Sequence, residues 1–327
     1  TVSGIGTEGT VFEGDITFDS LNYMTLPKGT TTQSNRGRAV MGGGTSHPTV
    51  STNTIEYLEI QSGGMTKDFG DLTIVRTVAG PISSSTRGVI VGGIEPSPAR
   101  TNVIDYITIA TTSNATDFGD YVEALGYIGG VSNNTRGVTA GGNGPSSPNG
   151  TNQIGYLTIA TTGNAADFGD LTAATTGIAG AGSPTRGIFF AGQINPGSWT
   201  VTNKIEYITI ATTGNAADFG DVTLGRQDGA ACSSSIRAVF AGGYNATPAA
   251  QTELNTIDYV TIASTGNATD FGDLTVVGAY LGGTSNSTRG IFGGRMDAGP
   301  AGGNTTIDSI IIASTGNAVN WGDMTGS

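Results

Sequence analysis

NATDFGDLT, residues 267–275, has close copies along the whole 327-residue chain. Asp68-Phe69-Gly70-Asp71, Asp117-Phe118-Gly119-Asp120, Asp167-Phe168-Gly169-Asp170, Asp218-Phe219-Gly220-Asp221 and Asp270-Phe271-Gly272-Asp273 are identical, and Asn320-Trp321-Gly322-Asp323 is a looser sixth copy. Their aromatic residues stand 49, 50, 51, 52 and 50 positions apart. A period near fifty signals an array of one supersecondary unit, and that constraint outranks any local assignment.

Outward from the phrase, the rest of the period is legible as strands. In the second unit TVAGPISSS (77–85), TRGVIVGG (86–93), NVIDYITIA (102–110) and NATDFGDYV (114–122) read as four short strands. The third places Ile104, Tyr106 and Thr108 on one face and Asp105, Ile107 and Ile109 on the other. Apolar residues on both faces suit a sheet held between two neighbouring sheets, and KIEYITIA (204–211) and TIDYVTIA (256–263) repeat the pattern. Helical periodicity is absent at any convincing length. These features predict an all-β fold, a six-bladed β-propeller with four antiparallel strands per blade. An open solenoid would need polar capping repeats at its ends, which the units do not show.

The expected organisation is a lead-in segment over 1–14 and a single propeller over 15–327, with repeats near 15–70, 71–119, 120–169, 170–220, 221–272 and 273–323. FEGDIT (12–17) resembles the fourth strand; it either leads in from a preceding stalk or completes the last blade and locks the ring. Seven blades is the alternative count if the ring extends beyond this sequence.

Composition narrows the function. Fourteen Lys and Arg against 26 Asp and Glu give a net charge of −12, with no basic run, which argues against nucleic acid as a partner. Fifty-four glycines and only 12% charged residues fit short strands joined by tight turns. The single cysteine, Cys232, leaves no internal disulfide or cysteine-based metal cluster and is expected to fill core space. No apolar run approaches the roughly 20 residues of a membrane helix, so membrane insertion is not expected.

Arg226 in LGRQDGAACSSS, the pair Gly242-Gly243 ending the second strand, Tyr259 in the third and Phe271 in the fourth resemble the kelch motif. The resemblance covers nearly the whole chain and departs from kelch in having Phe where Trp is usual in five of six copies, and in lacking the first-strand Arg in most units. IDYITIATTSNATDFGD (104–120) and SSSTRGVI (83–90) are, more closely, similar to kelch-like repeats of tail and other virion structural proteins of marine cyanobacterial phages. That resemblance implies a non-enzymatic, extracellular virion component, a tail-fibre or tail-associated propeller. Its implied partners are other virion or fibre proteins and a host-surface glycan or protein, and it allows a homo-oligomer. The alternatives are a secreted bacterial adhesin or lectin-like propeller, a carbohydrate-active enzyme on a propeller scaffold, and an intracellular kelch adaptor.

The repeated residues have structural readings. Gly42-Gly43, Gly92-Gly93, Gly141-Gly142, Gly242-Gly243 and Gly293-Gly294, with Ala191-Gly192 in the fourth unit, are expected where a strand turns. Arg36, Arg87, Arg136, Arg186, Arg237 and Arg289 occur once per unit and so form a ring, each expected to bond a nearby Asp or turn carbonyls; the competing reading is a grip on an anionic glycan or a partner. Asn267, Asp270 and Asp273 offer oxygen ligands to calcium, yet lack the dense alternation of a dedicated loop and are read as turn-shaping residues. No metal or cofactor is expected.

An enzyme needs bases or nucleophiles in a recognisable setting. His47 is the only histidine and lies in a Pro- and Ser-containing loop without a Gly-x-Ser-x-Gly elbow, so neither a multi-histidine copper site nor a Ser-His-Asp triad is legible. The loops between second and third strands (44–53, 94–102, 143–152, 193–203, 244–255 and 295–304) instead differ in length and chemistry while their flanking strands repeat. Variable loops on a rigid scaffold are where ligand residues belong, which makes His47, Glu95, Arg100, Trp199, Tyr244, Arg295 and Asp297 the binding candidates. Trp199 and Tyr244 have the rings to stack on a sugar.

Overall fold

The computed structural model describes residues 37–46, 50–96, 99–146, 149–194, 200–247, 250–296 and 303–325. These residues form an all-β, propeller-like fold, with no helix among them. The second repeat shows the unit most plainly: Gly80–Ser83, Arg87–Val91, Val103–Thr108 and Thr116–Asp120 make an antiparallel four-stranded meander. The fifth and sixth repeats build the same sheet from Ala230–Ser233, Arg237–Ala241, Thr256–Thr261 and Thr269–Asp273, and from Gly282–Ser285, Arg289–Gly293, Thr306–Ile311 and Val319–Asp323.

The sheets depart from six separate four-stranded blades, since only four of them carry four strands or more. In the first repeat the described residues supply three strands, Arg38–Gly42, Thr54–Glu59 and Lys67–Asp71. The third and fourth repeats run together into one eight-stranded sheet. There the outer strand, Ala166–Thr176, continues for eleven residues through a Thr- and Ala-rich stretch, and Thr175 and Thr176 pair with Ile194 and Gln193 of the next repeat. FEGDIT, the 1–14 segment and the start of the 15–70 repeat lie outside the described residues.

The repeated phrase is a β-bulge. Ile55 pairs with Gly70 and Glu56 with Asp68, so Phe69 is an extra residue without a partner in the ladder, and the register shift recurs in all six repeats. Phe69 is 2% exposed and meets Tyr57 of its own sheet edge-on, with ring centroids 5.9 Å apart. Four further Tyr–Phe pairs repeat that packing. The glycine that follows is required: Gly169 has φ +148°, and a Cβ there would stand 2.5 Å from the carbonyl oxygen of Gly214 in the next repeat.

Buried apolar residues gather into six main clusters, each drawn from two adjacent repeats. One of them joins the last repeat to the first: Ile291, Ile307, Trp321 and Met324 pack with Ala39, Leu58 and Ile60. The core is therefore laid between sheets, which is why strands with two apolar faces are needed.

Candidate functional site

The polar residues that repeat are occupied in joining one unit to the next. The Asp71, Asp120, Asp170, Asp221 and Asp273 amides donate to the side-chain oxygens of Asn114, Asn164, Asn215, Asn267 and Asn317, each in the following repeat, at 3.0–3.1 Å. Asn267 was expected to shape its own turn; its side-chain oxygen instead bonds the previous copy of the phrase. The Thr that ends DLT does similar work. Thr73 donates through its amide and hydroxyl to Asp105, and Thr172, Thr223 and Thr275 do so to Glu206, Asp258 and Asp308.

The arginine ring lies along the same seams. Arg38, Arg87, Arg136, Arg186 and Arg237 each lie over a tyrosine of their own sheet, 4.3–4.4 Å from the ring centre. Each also donates to a carbonyl of the next repeat, from Ile109 through Ile312. Arg289 lies over Trp321 at 3.9 Å and donates to Ser309 Oγ. In the first repeat this register belongs to Arg38; Arg36 lies outside the described residues. The glycine pairs shift likewise: the left-handed residues are Gly43 and Gly44 rather than Gly42 and Gly43, and in the sixth repeat Gly294 is followed by Arg295.

Arg295 is not a binding-loop residue. It is 2% exposed, and its guanidinium pairs with Asp308 at 2.8 Å. Arg76–Asp105 and Arg226–Asp258 are the equivalent buried pairs. In those two cases the arginine follows the outer strand of the preceding repeat, but the corresponding position before the sixth repeat is Gly278. Arg295 therefore enters from the second-strand side and supplies the same charge to the same carboxylate. Burial lowers the pKa of Arg76 and Arg226, and the paired carboxylates oppose that shift.

Of the remaining loop candidates, His47, Trp199 and Asp297 lie outside the described residues. Glu95 is half-buried, its amide bonded to Ala99 O, and its charge acts on Arg76. Arg100 and Tyr244 stand where chemistry gathers. Arg100 donates to Asn143 Oδ1 at 2.8 Å in the next repeat, and Asn143 exchanges backbone bonds with Gly126, beside Tyr127. Tyr244 is 7% exposed, its hydroxyl 2.7 Å from that of Tyr280 and its ring edge-on to that ring.

Tyr280 belongs to a set that the sequence reading missed. Val78, Tyr127, Gly177, Asp228 and Tyr280 occupy one register, two residues before the inner strand, all with positive φ. A chain of backbone bonds runs around the ring through them: Tyr127 donates to Val78, Gly177 to Tyr127, Asp228 to Gly177 and Tyr280 to Asp228. Tyr127 and Tyr280, three repeats apart in the sequence, approach to 6.4 Å between ring centroids. Asp228 is 8% exposed, accepts from Gln227 Nε2 at 2.7 Å, and is pushed up to about 6 by burial. Its charge raises the pKa of Tyr127, Tyr244 and Tyr280, after the larger effect of burial on each. The sequence marks this register only by its variation, from Val to Tyr, Gly, Asp and Tyr, each two residues before a Gly or Ala.

No protein-family model matches the chain, and no curated protein matches it. Among solved structures, one titled "Structure of YjhT" aligns over 82% of this chain and 91% of its own length, with a TM-score of 0.66 and 13% sequence identity. At that identity the likeness is one of fold, and it supports a β-propeller-like architecture.

Proposed function

We propose that this chain is a six-bladed, kelch-like propeller that serves as a non-enzymatic attachment module of a virion, tail-associated and directed at a host-surface glycan or protein. One observation carries the reading: side chains that repeat are spent joining repeats, whereas a set of side chains that do not repeat gathers at one mouth of the ring. The six-blade count is supported by six inter-repeat cores and by the bonds that tie the last repeat to the first. The virion setting and its fibre partners rest on the wording of the repeats. A rigid ring presenting variable residues at one end suits recognition at little ordering cost.

The test is competition. Purified chain added to host cells should reduce phage adsorption in a dose-dependent manner, and labelled chain should bind the cells. A folded chain that neither binds cells nor competes would overturn the attachment reading in favour of a purely architectural role.

A further inference from the structure

Asp228 differs from the other buried carboxylates among the described residues. Asp105, Asp258 and Asp308 each hold a guanidinium within 3.0 Å, and Glu56 and Glu206 accept from threonine hydroxyls. Asp228 accepts from Gln227 alone and has no cation at ion-pair distance among the described residues. Leaving a carboxylate so buried without a counter-charge is costly, and the cost falls when a cation is supplied.

The groups around it favour a particular kind of cation. Tyr127, Tyr244 and Tyr280 all lie within the electrostatic reach of Asp228, and aromatic faces attract positive charge. The amide that bonds it has an unused acceptor: Gln227 Oε1 is buried without a hydrogen-bond partner. Gly177 packs against the carboxylate, since an added Cβ there would stand 2.7 Å from Asp228 Oδ1. One carboxylate among phenols and an amide is a poor donor set for a hard metal ion, which takes six or more oxygens. The backbone carries strain in the same place. Val78, Tyr127, Asp228 and Tyr280 have φ between 47° and 63°, a conformation that costs a side-chain-bearing residue roughly 1 kcal/mol or more and that Gly177 adopts freely. Strain held at one register around one mouth is a mark of a functional site.

We propose that this mouth binds an organic ammonium group, with Asp228 as counter-ion, the rings of Tyr127 and Tyr280 as its aromatic wall and Gln227 Oε1 as an acceptor for any N–H it carries. The chain's net charge of −12 favours the approach of such a ligand. The inference goes beyond the attachment reading and does not depend on it, because binding of a small cation is measured without cells or virions.

Calorimetric titration of the intact chain with tetramethylammonium chloride and with methylammonium chloride tests it, with sodium chloride and glucose as controls. Saturable ammonium binding is expected at pH 7.5, at least fivefold weaker at pH 5, where Asp228 takes up its proton. The other charges bearing on the cluster are Arg100 beside Tyr127 and Glu253 beside Tyr244. Asp228→Asn should weaken binding at least tenfold at pH 7.5 and abolish its pH dependence, and Tyr280→Leu should weaken it without abolishing that dependence. Preference for tetramethylammonium points to a quaternary headgroup as the source, and preference for methylammonium to a lysine-type amine that uses Gln227. Binding unchanged in Asp228→Asn, binding of glucose but not ammonium, or a response matched by sodium chloride would each overturn the proposal. If Asp228→Asn does not fold, the pH dependence of the wild-type chain decides alone.

Discussion

Phe69 and its counterparts are buried because each is one residue too many for its strand, and the bulge turns the surplus into a knob between sheets. The neighbouring Gly and Asp then meet the next repeat at backbone distance, so the four-residue phrase joins units rather than forming a site. Asp228 behaves in the opposite way: it stabilises nothing visible at neutral pH. Its folded pKa, about 6, lies above the ordinary 3.8, so the folded state holds the proton more tightly than the unfolded one. Its contribution to stability is complete below 3.8 and is lost as pH rises through 6; at about 1.4 kcal/mol per unit this amounts to about 3 kcal/mol. Asp228→Asn should therefore raise the melting temperature at pH 7.5 and lose that advantage at pH 4. Equal shifts at both pH values would show that the carboxylate is not strained by burial.

At the scale of the strand, the repeats carry their own compensations. Gly155 stands where the other third strands have a carboxylate, and the preceding repeat changes with it: Tyr121 replaces Leu and Val122 replaces the Thr that would donate. The Tyr121 ring fills the vacated space, since a Cβ on Gly155 would lie 2.6 Å from it, and its hydroxyl bonds Thr139 O. Gly155→Asp alone should lower stability by about 3 kcal/mol or more, through overpacking and an unpaired buried charge. Adding Tyr121→Leu and Val122→Thr should restore most of the loss. Urea midpoints of the single and triple variants measure this, and additive losses would refute the exchange. The sixth repeat makes another swap, with Ser309 and Trp321 in place of the Tyr–Phe pair and Arg289 lying on the indole. Inner strands are stitched rather than laddered: Ser132, Ser233 and Ser285 each donate to a carbonyl of the preceding inner strand and accept an amide from it.

For the whole molecule, the junction of last and first repeats matters most, because among the described residues only non-covalent contacts hold it. Trp321 Nε1 donates to Ile60 O at 3.0 Å, the Gly64 amide to Trp321 O at 2.8 Å and the Thr66 amide to Asp323 O at 3.1 Å. The Thr325 amide reaches Glu56 Oε1, closing the carboxylate pattern around the ring. Trp321→Ala removes the indole from this seam and should loosen the ring locally. Hydrogen exchange should accelerate first in Lys67–Asp71 and Val319–Asp323, while Arg136–Ala140 in the third repeat keeps its protection. Uniform acceleration would mean that the seam is no weaker than the other five.

The sequence by itself determined the repeat, the four-strand unit, the burial of the phenylalanines and the rigid role of DFGD, because these follow from period and local geometry along the chain. It also pointed to Arg100 and Tyr244 as residues of interest by their variation. Only the tertiary structure decided that Asn267 bonds the previous repeat, that Arg295 is a buried counter-ion and that Tyr127, Asp228, Tyr244 and Tyr280 share one mouth. The reason is distance along the chain. Seams join residues a full period apart, and the curvature of the ring brings residues three periods apart face to face. No local pattern encodes that meeting; it depends on the angle at which each sheet packs on the next.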